Sequence, residues 1–145
     1  TNSRTAYGST EMAGGSHVLE MQDLNYGTVG VPYHSFKFYL EDWEEGGYSA
    51  SDKPNPRGEI VVGGDSIASG YYKLEEETKE AFYVDEEGTR WFKSGDIGEV
   101  LPNGTLKIID RKKDLTKLAN GEFVSLGKVV TILFNHEFTS FAKIV

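Results

Sequence analysis

Two charged residues of the sequence are spaced so that both can act on one ligand. Asp96 follows Gly95 after an apolar run, where a Gly-Asp turn presents its carboxylate at a strand end. Arg111 follows the next apolar run, and the Asn103-Gly104 hairpin between the runs brings it back beside Asp96. A carboxylate accepts hydrogen bonds from two vicinal hydroxyls, and a guanidinium donates to hydroxyl or phosphate oxygens. The pair indicates a ribose-phosphate site, but a capping turn carboxylate and a solvated basic loop explain the same residues.

A second candidate segment, residues 7–11, lies near the start of the sequence. Its glycine, hydroxyls and single acid form a turn that can surround a phosphate with Ser and Thr donors and backbone amides. The same residues also fit an ordinary helix N-terminus capped by Ser9 or Thr10. Local sequence does not separate a phosphate site from a helix cap.

The composition restricts the chemistry available to the chain. The 145 residues contain no cysteine, which excludes disulfides, thiolate nucleophiles and cysteine-based zinc sites. The net charge of -8 argues against nucleic acid as a partner. Basic residues gather at 107–117 and acids at 41–87, which fits either an anionic small ligand or a solvated basic loop. His17, His34 and His136 lack the spacing of metal ligands.

The ends and the hydropathy of the sequence bear on the solubility and targeting of the chain. No apolar run is long enough for a membrane-spanning helix, and no signal peptide opens the chain. The sequence begins with Thr1 rather than Met. We therefore expect a fragment or a processed product that is soluble and carries no targeting signal.

The elements expected around the candidate residues are short strands separated by glycine turns. Alternation over residues 36–40 predicts a half-buried strand, and residues 57–64 predict a β-branched strand closed by glycines. Residues 74–82 predict a short helix with Glu75 and Lys79 in i,i+4 register. The pattern predicts a mainly β (α+β) chain with short helices, arranged as a small, distorted β-barrel or sandwich.

Three motifs in a fixed order resemble those of the adenylate-forming enzymes, which include acyl-CoA synthetases, luciferases and adenylation domains. The motifs are YGSTE at residues 7–11, FKSGD at 92–96 and IIDRKKDLTK at 108–117. The longer run IIDRKKDL…GEFVSLGKV is similar to the long-chain fatty acyl-CoA synthetases, in particular to the animal branch that favours polyunsaturated chains. The resemblance covers about residues 1–129.

For the first motif, the resemblance implies a nucleotide site. It implies that Tyr7 stacks on adenine with Gly8 in the same ATP/AMP-binding segment, that Thr10 contacts the phosphate, and that Glu11 holds Mg²⁺. Thr10 and Glu11 are the implied catalytic residues. An aromatic face suits a base, a hydroxyl suits a phosphate, and a hard carboxylate suits Mg²⁺.

For the second and third motifs, the resemblance implies that Asp96 and Arg111 bind the ribose hydroxyls. Lys113 is the implied pivot of a hinge, about which a small lid rotates between the two half-reactions. The family usually has Thr where this sequence has Ser94, which keeps the hydroxyl.

The resemblance also implies how the chain is divided. Val130 opens a segment unlike the family, for which we expect mis-spliced or intron-derived coding sequence, with a lineage-specific end as the alternative. The expected parts are the end of the nucleotide-binding subdomain at 1–27, a β-barrel-like subdomain at 28–109, a hinge at 110–114, the start of a C-terminal lid at 115–129, and the divergent tail at 130–145.

The activity implied by the resemblance is that of a long-chain fatty acid–CoA ligase. Its substrates are a long-chain fatty acid, ATP with Mg²⁺, and coenzyme A, and the parent enzyme is expected at the endoplasmic reticulum and related membranes with a cytosolic catalytic part. The Ser/Thr/Gly-rich phosphate loop ending in Pro-Lys and most of the lid, with its late catalytic lysine, are not in this sequence. We therefore expect the chain to be inactive alone. The alternative is a non-catalytic β-domain that mediates interactions and derives from such an enzyme.

Overall fold

The computed structural model describes residues 4–20, 23, 27–118 and 123–125. The expected tail at 130–145 lies outside these residues. The chain divides into two compact units, Thr1–Ile109 (unit 1) and Asp110–Val145 (unit 2). The boundary falls where the predicted hinge begins, and the hinge itself stays a prediction.

The described part of unit 1 consists mainly of antiparallel strands. An N-terminal sheet has the order β1-β2-β3, and a larger sheet has the order β4-β5-β7-β6, with β8 paired to β7. β8 runs into the first residues of unit 2. In chain order the strands are β1 (Ala6–Ser9), β2 (Gly14–Val18), β3 (Val31–Pro32), β4 (Lys37–Glu41), β5 (Arg57–Gly63), β6 (Phe82–Val84), β7 (Arg90–Val100) and β8 (Leu106–Arg111).

The prediction of a mainly β chain with short helices is confirmed. Among the described residues the strand pairings do not close into a ring, so the expected barrel is a pair of open sheets. The two sheets are joined near the start of β3, because Val29 donates to Leu106 at 2.8 Å and Leu106 donates to Gly30 at 2.8 Å. The hydrophobic core of unit 1 contains Met12, Val29, Phe36, Ile60, Val62, Ile67, Phe82, Phe92 and Leu106.

The predicted Asn-Gly hairpin between β7 and β8 is present. Leu101 N donates to Thr105 O at 2.9 Å, and Gly104 N donates to Leu101 O at 2.8 Å. Gly104 has φ of 81°, a left-handed conformation that glycine adopts without strain. The Asn103 side-chain oxygen accepts from the Thr105 amide at 3.1 Å and hydroxyl at 2.8 Å. Local turn chemistry therefore determines this connection.

The predicted helix is also present, as α1 (Glu75–Ala81). Its first turn carries three acids, which the helix dipole favours. Lys79 pairs with Glu76 at 2.9 Å rather than with Glu75, so the helical register supports a pair at i,i+3 instead of i,i+4. In the part of the chain that the structure describes, no helix is both long and apolar enough to cross a membrane.

Unit 2 contains one described strand pair of its own. A 3₁₀ turn at Lys112–Asp114 follows β8 and leads into β9 (Leu115–Lys117). β9 pairs antiparallel with β10 (Phe123–Ser125).

Candidate functional site

The structure brings together one residue from the first motif and one from the second. The Tyr7 hydroxyl donates a hydrogen bond of 2.8 Å to Asp96 Oδ2, across 89 positions of sequence. Tyr7 is half-buried, and Asp96 is 6% exposed. Two residues chosen for adenine and ribose binding therefore lie side by side in unit 1.

The predicted Gly-Asp turn at a strand end is wrong, because β7 continues through Gly95 and Asp96 as a bulged strand. Glu59 of β5 lies opposite Ile97 of β7, and Val61 lies opposite Lys93. Residues 94–96 therefore face the single residue 60 of β5, which leaves an arc in the longer strand. Gly95 takes φ of 72° within this arc, a conformation that favours glycine.

Side chains supply the hydrogen bonds that the arc cannot make in the ladder. Ser94 Oγ donates to Ile60 O at 2.7 Å and accepts from Asp96 N at 3.1 Å. Gly95 N donates to Glu59 Oε1 at 2.9 Å. A buried backbone donor that lacks an acceptor costs about 1–3 kcal/mol, so these bonds hold the arc in shape. The arc in turn presents Asp96 to Tyr7.

The second predicted carboxylate, Glu11, is held by contacts of a different kind. It lies in a 3₁₀ turn, Thr10–Met12, between β1 and β2. The Tyr71 hydroxyl donates to Glu11 Oε1 at 2.8 Å, and Ala68 N donates to Glu11 O at 2.8 Å. Burial and the bond to Glu11 raise the pKa of Tyr71 to about 12, so Tyr71 stays a protonated donor at neutral pH. Sequence analysis missed this contact across 60 positions.

The surroundings of Glu11 fit a magnesium ion that is shared with a substrate. Among the described residues no three or more His, Cys, Asp or Glu side chains gather into a metal-binding group. Mg²⁺ commonly takes one or two carboxylates, several waters and phosphate oxygens rather than a cage of protein ligands. A single oriented carboxylate therefore suits Mg²⁺ that arrives with ATP.

The other residues of the first motif lie in three different surroundings. β1 pairs closely with β2 at Gly8, where a Cβ would be 1.8 Å from Gly14 O, and we call this close approach of the two strands the strand crossing. Ser9 occupies the N-cap position of the 3₁₀ turn, as one explanation predicted, with φ of -149°, but its side chain makes no capping hydrogen bond. Thr10 is exposed. An exposed hydroxyl beside Glu11 can be reached by a phosphate group.

A buried histidine next to Tyr7 is a further feature that sequence analysis did not predict. His17 is 0% exposed and packs between Tyr7 and Phe38, with ring centroids 5.9 and 4.8 Å away. Its Nδ1 lies 3.0 Å from Ser16 Oγ, whereas Nε2 has no hydrogen-bond partner among the described residues. Burial lowers the pKa of His17 to about 4, so the ring is neutral at pH 7.

The remaining predicted residues belong to unit 2. Arg111 ends β8, its side chain is exposed, and its amide donates to Asp110 Oδ1 at 2.8 Å. Lys113 is exposed in the 3₁₀ turn that follows. Asp96 belongs to unit 1, so convergence of Arg111 with Asp96 stays a prediction.

Comparison with known proteins defines the class that this arrangement resembles. Residues 3–72, just under half of the chain, match the family model described as AMP-binding enzyme. Unliganded O-succinylbenzoate coenzyme A synthetase of Bacillus subtilis matches with a TM-score of 0.73 and 27% identity over 93% of this chain and 28% of that one. The same enzyme solved with ATP and a magnesium ion gives 0.72 and 27% over 92% and 26%. The fold is that of adenylate-forming enzyme domains, and the family match supports assignment to the AMP-binding enzymes.

Acyl-CoA synthetases are among the relatives by sequence. The chain is 54% identical over 127 residues to long chain acyl-CoA synthetase 8 of Arabidopsis thaliana, which covers 88% of this chain and 18% of that protein. It is 41% identical over 136 residues to fatty acyl-CoA synthetase A of Dictyostelium discoideum, covering 94% and 20%. The chain therefore spans about a fifth of the length of the curated relatives it matches.

Proposed function

We propose that this chain is part of a long-chain fatty acid–CoA ligase and contributes to its nucleotide site. The observation that carries the proposal is the hydrogen bond of 2.8 Å between Tyr7 and Asp96. A carboxylate beside a half-buried aromatic ring offers the two chemistries that an adenosine needs, a π-face for the base and an acceptor for the ribose hydroxyls. The similarity to named acyl-CoA synthetases supports the same reaction class.

The proposed reaction has two steps, because a free carboxylate is a poor electrophile. An oxygen of the fatty carboxylate attacks the α-phosphorus of ATP, and pyrophosphate leaves to give an acyl-adenylate. The sulfur of coenzyme A then attacks the acyl carbon, and AMP leaves with the former carboxylate oxygen. The products are acyl-CoA, AMP and pyrophosphate, and the thiol proton is released.

The proposed roles follow from the chemistry of each side chain. Tyr7 stacks on adenine, Asp96 accepts from the ribose hydroxyls, and Thr10 donates to a phosphate oxygen. Glu11 holds Mg²⁺, which offsets negative charge on the phosphate oxygens. Gly8 allows the close crossing of β1 and β2, which carries Tyr7 and Glu11 into place.

In unit 2, Arg111 joins Asp96 at the ribose, and Lys113 acts as the hinge pivot without acting as a catalytic base. A preference for polyunsaturated acyl chains, an origin in the animal branch and a location at the endoplasmic reticulum are also proposed. Competition between saturated and polyunsaturated fatty acids in the ligase reaction, together with fractionation of the cell, tests the first and last of these.

The experiment that tests the proposal is AMP binding, measured by calorimetry on the longest protein that the transcript encodes. Asp96→Ala removes the ribose acceptor and should weaken AMP binding about 10-fold or more, the value of a hydrogen bond to a charged group. Asp65→Asn, on an exposed side chain outside the site, is the control and should leave binding unchanged. If the protein does not bind AMP, the non-catalytic β-domain is the better description. If Asp96→Ala binds AMP as well as wild type, Asp96 is not the ribose acceptor.

A further inference from the structure

An acidic residue lies in the middle of the β-branched strand β5. Glu59 is 5% exposed, whereas acidic side chains are almost never fully buried unless they are paired. One partner of its carboxylate is the amide of Gly95, at 2.9 Å, on the arc of β7 that ends in Asp96. The buried carboxylate and the arc are thus parts of one structural feature.

Ser94 provides the second side-chain contact of the same arc. Its hydroxyl bonds at once to Ile60 O of β5 and to the amide of Asp96, at 2.7 and 3.1 Å. Glu59 and Ser94 therefore fix the peptide groups immediately before and at Asp96. We call this pair of side chains the brace.

We propose that the brace of Glu59 and Ser94 positions the Asp96 carboxylate for the two ribose hydroxyls of a bound nucleotide. Neither residue touches the nucleotide in this proposal, and both act through the backbone of the arc. A carboxylate that must accept from two vicinal hydroxyls requires a defined orientation, and an unbraced arc with Gly95 at its centre has freedom to deviate from it. The inference rests on the proposed role of Asp96 and extends it to residues outside the three motifs and to the motif hydroxyl.

A purely electrostatic role for Glu59 explains less of the geometry. The nearby Lys93 ammonium bonds to Glu41, at 2.7 and 3.0 Å, and the Glu41 hydrogen bond is the largest cause of its raised pKa. Glu59 enters that balance only through a smaller Coulombic interaction. Its carboxylate accepts a hydrogen bond from the backbone of the arc, which is the contact that a positioning residue requires.

The test is the ratio of the dissociation constants for 2′,3′-dideoxy-AMP and AMP, measured by calorimetry on the longest protein that the transcript encodes. Wild type should prefer AMP about 10-fold or more, because dideoxy-AMP lacks both hydroxyls that donate to the charged carboxylate. Glu59→Met removes the acceptor while keeping the length of the side chain, and Ser94→Ala removes the hydroxyl. Each should lower the ratio towards one, whereas Glu59→Gln, which keeps an oxygen acceptor, should retain most of it.

Glu99→Met is the matched control, because Glu99 is a half-buried glutamate of β7 that bonds to the side chains of Asn55 and Lys107. It should leave the ratio at the wild-type value. A second readout needs no nucleotide: amide hydrogen exchange of Gly95, measured by NMR on the 145-residue chain, should be about 10-fold faster or more in Glu59→Met than in Glu99→Met.

The outcomes separate the inference from the proposed function. The brace is overturned, and the role of Asp96 left intact, if Glu59→Met and Ser94→Ala fold and keep the wild-type ratio. The same conclusion holds if both nucleotides bind more weakly by an equal factor. If Glu59→Met does not fold, the ratio in Ser94→Ala decides the same question. A wild-type ratio of one, or a ratio unchanged in Asp96→Ala, instead rejects the proposed ribose site and the inference with it.

Discussion

The two sheets of unit 1 hold their candidate residues by different means. The larger sheet rests on apolar strands that bury Ile60, Val62 and Phe92, and it places Asp96 by one braced irregularity in β7. The N-terminal sheet instead buries polar groups, including Ser16 and His17, and its strands approach each other closely at glycines. The Glu11 carboxylate and the Tyr7 hydroxyl both form hydrogen bonds with residues from later in the chain.

The difference shows that the N-terminal sheet relies more on contacts from elsewhere in unit 1 than the larger sheet does. The amides of Gly95 and Asp96 are hydrogen-bonded by Glu59 and Ser94, in contacts that do not involve Tyr7. Glu11 depends on Tyr71 and on the shape of a tight strand crossing. We therefore expect the N-terminal sheet to be the more easily disturbed half of the proposed site.

The largest expected effect comes from adding one methyl group at the strand crossing. Gly8→Ala places a Cβ 1.8 Å from Gly14 O, and the backbone of β1 and β2 must separate to admit it. We expect the free energy of unfolding to fall by about 3 kcal/mol or more, measured by urea denaturation. Gly15→Ala is the matched control, because its Cβ meets nothing nearer than 3.8 Å, and it should leave stability unchanged or slightly raised. Equal stabilities for the two variants would contradict the crossing as a point of weakness.

The next effect is a dependence of stability on pH that originates in the N-terminal sheet. The pKa of His17 is lowered to about 4 in the folded chain, so between about pH 6.5 and 4 the unfolded chain binds the proton and the folded chain does not. The free energy of unfolding should therefore fall as the pH drops through this range, by up to about 3 kcal/mol. His17→Phe should remove this part of the slope in urea titrations at pH 7, 5.5 and 4.5.

His34→Gln, on an exposed ring, is the control for this measurement and should keep the wild-type slope. A His17→Phe protein with the full wild-type slope would mean that other groups carry the acid sensitivity. The contrast between the two sheets would then lose its electrostatic part.

A smaller effect is expected from removal of the Tyr71 hydroxyl, which donates to Glu11. Tyr71→Phe removes one hydroxyl but keeps the ring packed against Phe82, with centroids 5.3 Å apart. We expect the Mg²⁺ concentration needed for half-maximal ATP binding to rise about 10-fold, with only a small change in melting temperature. Tyr72→Phe, at an 86% exposed position, is the control and should change neither. An unchanged Mg²⁺ requirement in Tyr71→Phe, beside a raised one in Glu11→Gln, would remove Tyr71 from the site and keep Glu11 in it.

Local sequence predicted those elements whose causes are local. The Asn103-Gly104 hairpin follows from turn chemistry, and α1 and β5 follow from hydrophobic pattern and propensity. The spacing of Asp96 made it a candidate, whereas the roles of Tyr7 and Glu11 were assigned through the resemblance of their motif to a known family. The described contacts support a common location for Tyr7 and Asp96.

The contacts that hold these residues were not predicted, because they join distant positions. Glu59 acts on Gly95 across 36 positions, and the bulge that it supports leaves no periodic signal in β7. One sign was present in the sequence: an acid in an otherwise β-branched run needs a buried partner or an exposed edge. His17 gave no such sign, since a single histidine in a polar strand has the same appearance whether it is buried or exposed.

The bridge between Leu106 and the backbone at Val29 and Gly30 has a consequence for the order in which the chain folds during synthesis. The N-terminal sheet must wait for partners that the ribosome adds later, because Tyr7 meets Asp96 and Val29 meets Leu106. At a synthesis rate of about 5–20 residues per second, the first strands spend on the order of 5–20 s without those partners. The earliest part of unit 1 to be made is therefore among the last to be fixed. Because this hairpin is rich in glycine and polar residues, it exposes little apolar surface while it lacks its partners.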